Sequence, residues 1–152
     1  SGIAYAAKMD KKKFFTFCLM SDGEQQEGNT WEAVMFAAKY RLNNLIAIMD
    51  RNNIQITGNT EDVMPLEPLS DKYRAFNWHV LEIDGHNIEE IADAVEEAKS
   101  IKEKPTLILA HTTPGKGVRE IENDYRWHGN PPKKEQLESF VAQLHEACGT
   151  KH

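Results

Sequence analysis

Two apolar runs of strand length, separated by an amphipathic helical pattern, constrain this chain most. The first is residues 13–20 (KFFTFCLM), rich in aromatics; the second is residues 45–49 (LIAIM), rich in β-branched side chains. Between them, Trp31, Val34, Met35 and Ala38 recur at i, i+3, i+4 and i+7, so residues 30–40 read as a helix with one apolar stripe. Asn29 followed by Glu32 resembles a capping box at its start. The alternation continues. Residues 78–83 read as a short strand, and 88–99 as a helix with Ile88, Ile91, Ala92 and Val95 on one face. Residues 106–110 read as a buried strand, and 133–147 as a helix striped by Leu137, Phe140, Val141 and Leu144, with Gly149 placed to terminate it. Residues 1–9 read as helix, and 55–69 and 113–132 as irregular segments carrying prolines. Strands alternating with helices predict an α/β fold with a mostly parallel sheet flanked by helices.

Each of the first two strands ends on a polar word. Ser21-Asp22-Gly23-Glu24 follows the first, and Asp50-Arg51-Asn52-Asn53-Ile54 follows the second. Parallel neighbours would present Asp22 and Asn52 together at their carboxyl ends, where open α/β sheets bind ligands. One carboxylate and one carboxamide oxygen are hard donors suited to magnesium or calcium. Gly23 lets the chain turn tightly and lets an anion approach its N–H groups, and the following helix N-terminus favours negative charge. Taken singly, Asp-Gly and Asn-Asn are ordinary turns. The pair at the ends of two neighbouring strands is more specific than either half.

Charge and length exclude several classes. A net charge of −6 and a pI near 5.5 argue against a nucleic-acid footprint. The apolar runs fall far short of a membrane span, and no signal peptide opens the chain. The 152 residues suit one domain. Cys18 and Cys148 make no disulfide framework; Cys18 reads as a buried small hydrophobe in a strand. Reduced thiols point to the cytoplasm. The six histidines lack zinc-ligand spacing.

Further words carry a family resemblance: Glu27-Gly28-Asn29-Thr30-Trp31-Glu32-Ala33, Ile54-Gln55-Ile56-Thr57-Gly58, Ile83-Asp84-Gly85-His86, Gly115-Lys116-Gly117-Val118 and Trp127-His128-Gly129. In this order they resemble the diphosphate-binding domain of transketolase, from Ser1 to about Pro132. Trp31 and Trp127 favour that family over 2-oxoacid dehydrogenases and deoxyxylulose-phosphate synthase, which share the metal motif. The family's usual Gly-Asp-Gly here begins with Ser21, whose hydroxyl is available to a phosphate. The resemblance starts inside the family's domain. It lacks the opening part and the pyrimidine-binding domain that carries the cofactor-activating glutamate, so residues 1–152 are expected to form a single domain truncated at its start.

The resemblance implies part of a transketolase, moving a two-carbon ketol unit between sugar phosphates with thiamine diphosphate and Mg2+ (or Ca2+). The implied metal ligands are Asp22, Asn52 and the carbonyl of Ile54. Gly23, Glu24, Ile56 and His128 are implied cofactor contacts, with Ile56 packed against the bent cofactor and His128 at the diphosphate and the donor sugar. An ordinary loop hydrophobe and a structural histidine are the plain readings of those last two. Gly115-Lys116-Gly117 is an expected phosphate-adjacent loop. Glu27 and Glu32 are implied members of a carboxylate network between two active sites, hence of a homodimer interface. A pyrimidine-binding subunit or domain is the implied partner, and the isolated chain is expected to be inactive. A non-catalytic remnant that folds or assembles without turnover is the alternative. His111 ends a strand without an assigned role, and His79, His86, His145 and His152 are given none.

Overall fold

The computed structural model describes residues 1–149. Four strands form one parallel sheet: β1 (Thr16–Ser21), β2 (Leu45–Arg51), β5 (His79–Asp84) and β6 (Thr106–His111), in the order β1-β2-β6-β5. Between them lie the hairpin strands β3 (Ile54–Gln55) and β4 (Gly58–Asn59), which pair antiparallel. The helices are α1 (Gly2–Met9), α2 (Gly28–Lys39), α3 (Thr60–Val63), α4 (Leu69–Ala75), α5 (Ile88–Ser100) and α6 (Lys134–Ala147). The segment read as the loop 55–69 thus contains the hairpin and a short helix.

Alternation along β2 divides the core. Leu45, Ala47 and Met49 join Val34, Ala37, Leu69, Tyr73 and Trp78 on the face covered by α1, α2 and α4. Ile46 and Ile48 join Ala94 and Ala98 on the face covered by α5. Both faces of β2 are buried, which is why its sequence is almost continuously apolar. Lys8 of α1 donates to the carbonyls of Tyr40 (2.9 Å) and Arg41 (2.6 Å), satisfying groups that the end of α2 leaves without helical partners.

Several expectations are corrected. The capping box is absent: α2 starts at Gly28 after Glu27, with no side-chain cap. Its inward stripe runs through Val34 and Ala37, and Met35 is half exposed. On α5 the buried positions are Ala94 and Ala98, one step round from the expected face, and Ile88 is exposed beyond the sheet. On α6 only Phe140 is buried, against the Trp127 ring 5.8 Å away, while Leu137, Val141 and Leu144 are exposed. Cys18 is exposed, because β1 is an edge strand with a single neighbour. Gly149 follows α6 at φ 67°, the left-handed stop anticipated for it. His152 lies outside the described residues.

Candidate functional site

Parallel pairing of β1 with β2 sets Ser21 opposite Asp50, and the Asp22 N–H donates to the Asp50 carbonyl at 3.2 Å. The two polar words are therefore adjacent at the carboxyl edge of the sheet, as the sequence predicts. Asp22 is fully buried. Its Oδ2 accepts from the Asn53 N–H (2.7 Å) and from Arg51 Nη1 (2.9 Å). Its Oδ1 is buried without a hydrogen-bond partner. A buried carboxylate oxygen without a donor costs free energy, so native sites that keep one usually have a use for it.

Asn52 is oriented from both ends. Its Nδ2 donates to Asp50 Oδ2 at 2.8 Å, and its Oδ1 accepts from the Ile54 N–H at 3.0 Å. The second lone pair of that oxygen stays open. Asp50 is held in turn by the Thr112 hydroxyl. Thr112 N–H donates to the Arg51 carbonyl (3.2 Å), tying the end of β6 to the end of β2.

Asn52 and Ile54 open onto a cleft of about 320 Å³. Its other walls come from distant segments: Pro114, Gly115, Ile121, Asp124, Trp127, His128, Asn130 and Pro132. The irregular segment 113–132 thus folds back over the ends of β2 and β6. Gly115 adopts φ 73°, and a Cβ there would meet the Ile121 carbonyl oxygen at 2.7 Å, so this turn needs glycine. His128 follows the short 3₁₀ turn Tyr125–Trp127, is exposed, and faces this cleft. A second concavity, about 250 Å³, lies along β1 and α2 and contains none of these groups apart from Glu24.

The other expected residues divide. Ile56 is exposed at the tip of the β3–β4 hairpin, 79 % accessible, which removes the reading that tucks it into the core. The Glu24 carboxylate turns back to accept from the Ser21 N–H (2.6 Å) and hydroxyl (3.2 Å), so the structure brings neither Glu24 nor Ser21 into the cleft. Gly23 opens a 3₁₀ turn at negative φ, and a Cβ there would find an ordinary contact with Gln55 at 3.7 Å. Tight turning therefore does not require glycine at that position. Glu27 and Glu32 are exposed. Trp31, expected at a partner-facing edge, turns inward: its indole N–H donates to the Gln25 carbonyl at 2.8 Å, and its ring lies 5.5 Å from that of Tyr73. His111 contacts Glu82 at 3.4 Å.

Arg51, Asp50, Asn53, Thr112, Glu61 and Glu67 belong to this site, although the motif reading used only their neighbours. Arg51 is the signal that was available. It stands where β2's alternation demands a buried side chain, and a buried guanidinium requires carboxylates. Its side chain is 2 % exposed, and Nη2 donates to Glu61 (2.7 Å) and Glu67 (2.9 Å). Burial works against its charge. Hydrogen bonds to Asp22, Glu67 and Glu61 more than offset this and raise the guanidinium above its ordinary pKa.

Among the described residues, no group of three or more His, Cys, Asp or Glu side chains is arranged to hold a metal ion alone. What the site offers is one free anionic oxygen, one carboxamide oxygen and the cleft beyond them. That donor set fits a hard divalent cation whose remaining ligands come from an anion and water.

The family described as "Transketolase, thiamine diphosphate binding domain" matches residues 4–151, and the chain belongs to it. One of the two subunits of an apulose-4-phosphate transketolase from Phocaeicola vulgatus is 46 % identical over 145 residues, which cover 95 % of this chain and 52 % of that protein. A 6-deoxy-6-sulfo-D-fructose transketolase subunit from a Clostridium species is 46 % identical over 143 residues, covering 94 % of this chain and 52 % of that protein. The chain spans about half the length of these curated relatives. The crystal structure of transketolase from Campylobacter jejuni superposes with a TM-score of 0.86 at 36 % identity, covering 97 % of this chain and 24 % of that one.

Proposed function

We propose that this chain supplies the diphosphate and metal end of a transketolase active site. The observation that carries the proposal is the buried, unpartnered Oδ1 of Asp22 beside the oriented carboxamide of Asn52, at the ends of adjacent parallel strands. Asp22 Oδ1, Asn52 Oδ1 and the Ile54 carbonyl are the protein ligands of a divalent cation, magnesium or calcium. Diphosphate oxygens and water complete its shell, which accounts for the lack of a self-sufficient metal cluster among the described residues.

Thiamine diphosphate, when bound, supplies the carbon nucleophile that carries a two-carbon ketol unit between sugar phosphates. The chain's own residues bind, orient and shield. The Gly115 turn brings backbone against the diphosphate side of the cleft. Ile56, projecting from its hairpin, offers an apolar surface to the body of the cofactor. His128 holds a proton-exchanging imidazole at the cleft wall, suited to orienting a sugar hydroxyl rather than attacking it.

The glutamate that activates the aminopyrimidine has no counterpart among the residues of this site. The partner is therefore a pyrimidine-binding subunit or domain, in keeping with relatives named as transketolase subunits. Self-association through α2 brings Glu27, Glu32 and the half-exposed Met35 to an interface. The proposed setting is the cytoplasm. No helix among the described residues is long and apolar enough to cross a membrane. Calorimetric titration of the chain with thiamine diphosphate and magnesium, with and without a pyrimidine-binding partner, tests the reading. It predicts metal-dependent uptake, and uptake indifferent to magnesium contradicts it.

A further inference from the structure

Arg51 closes β2 on the sheet face that carries Leu45, Ala47 and Met49, where a charge has no solvent to retreat to. Its two terminal nitrogens point to different parts of the chain. Nη1 reaches Asp22 Oδ2, and Nη2 reaches Glu61 and Glu67. Both glutamates are fixed in turn. Glu61 accepts from the N–H groups of Leu66 (3.1 Å) and Glu67 (3.4 Å), and Glu67 Oε2 accepts from the Leu69 N–H (2.8 Å). Neither glutamate lines the cleft.

We propose that Arg51 is a positioning residue for metal binding. It commits Oδ2 of Asp22 to the protein and presents Oδ1 to the cation, and Glu61 and Glu67 act through it as anchors. This rests on the reading of Asp22 as a metal ligand and adds residues that touch neither ion nor cofactor.

A lone carboxylate rotates about its Cβ–Cγ bond and interchanges its oxygens. Here two donors from separate elements, the Asn53 amide and the Arg51 guanidinium, converge on one oxygen and fix the carboxylate plane. A planar guanidinium serves several carboxylates at once, which a lysine ammonium does with less directional control. Simple electrostatics points the opposite way. A cation held beside a metal site repels the metal, so deleting it strengthens metal binding. The sign of the effect therefore separates the two accounts.

The test is calorimetric titration of Mn2+ into the full chain in the presence of thiamine diphosphate. A pyrimidine-binding partner is included if the chain alone takes up no cofactor. The variants are Arg51→Met, Arg51→Lys, Glu61→Gln/Glu67→Gln, and the core truncation Leu107→Ala as a destabilised control. Arg51→Met is expected to weaken Mn2+ binding at least tenfold, and Arg51→Lys to restore part of it. The double glutamine variant is expected to weaken it severalfold, and Leu107→Ala to leave it unchanged. If Arg51→Met does not fold, the double glutamine variant, altered only at half-exposed loop residues, decides. Binding as tight as or tighter than the parent in the Arg51 or double glutamine variants overturns the proposal. So does an equal loss in Leu107→Ala. If Asp22→Asn leaves Mn2+ binding intact, the ligand reading itself fails and this inference falls with it. A parent that responds to Asp22→Asn but not to Arg51→Met refutes the inference alone.

Discussion

Arg51 Nη1 lies 2.9 Å from Asp22 Oδ2, and the two side chains are 2 % and 0 % exposed. The contact joins the last residue of β2 to the residue just after β1. Removing one member of a buried pair leaves the other charge uncompensated, at a typical cost of about 3–5 kcal/mol. Arg51→Met is accordingly expected to lower unfolding stability by roughly that amount, read from urea denaturation midpoints. A loss near zero would mean that water reaches these carboxylates.

Asp22→Ala removes the one anionic protein ligand proposed for the metal. It is expected to abolish magnesium-dependent uptake of thiamine diphosphate. Asn52→Ala removes a neutral donor and is expected to weaken uptake less. Calorimetry on an assembly that binds the cofactor compares the two, and unchanged affinity in both variants excludes the site.

Glu61 gives the site an acid limit. Burial of its carboxyl works to raise the pKa. The Leu66 N–H, the Arg51 guanidinium and the Glu67 N–H outweigh this and hold it below the ordinary carboxyl value. As pH falls, the unfolded chain takes up this proton first. The stability contributed by the ionised form is thus present above the ordinary carboxyl value and lost as pH drops through the folded one. Glu61→Gln is expected to flatten the acid side of the stability profile between about pH 6 and pH 3. An unaltered slope would show that the clamp does not need the charge.

The strand–helix alternation, the parallel pairing and the pairing of Asp22 with Asn52 were legible because period and register follow from β1 and β2 themselves. Helix faces were less so. Ile88 and Ala92 continue an apolar stripe in sequence, but the sheet ends short of Ile88, and α5 docks through Ala94 and Ala98. Cys18 and Leu19 read as core, yet β1 lies at the sheet edge, a fact of strand order that no local pattern encodes. The Arg51 clamp draws on residues up to 45 positions apart, from Asp22 to Glu67. The charge at the end of a buried strand was its only local sign.

The isolated chain is expected to show no ketol transfer, because the proposed site lacks the activating glutamate. Mixing it with a pyrimidine-binding transketolase subunit is expected to restore turnover with thiamine diphosphate and magnesium. Turnover by rigorously purified chain alone would contradict the division of labour proposed here.

Assembly gives another test. Glu32 is exposed on α2, one residue from a Trp31 that packs inward. Glu32→Lys is expected to shift a dimer toward monomer in sedimentation experiments. A dimer indifferent to this charge reversal would exclude α2 as its interface.

The most direct measurement is a crystal structure of the cofactor-loaded assembly grown with calcium. The account predicts an ion about 2.3–2.6 Å from Asp22 Oδ1, Asn52 Oδ1 and the Ile54 carbonyl oxygen, bridged to the diphosphate, with Arg51 still on Asp22 Oδ2. An ion held by other residues, or a diphosphate bound away from the Asn52–His128 cleft, would contradict it.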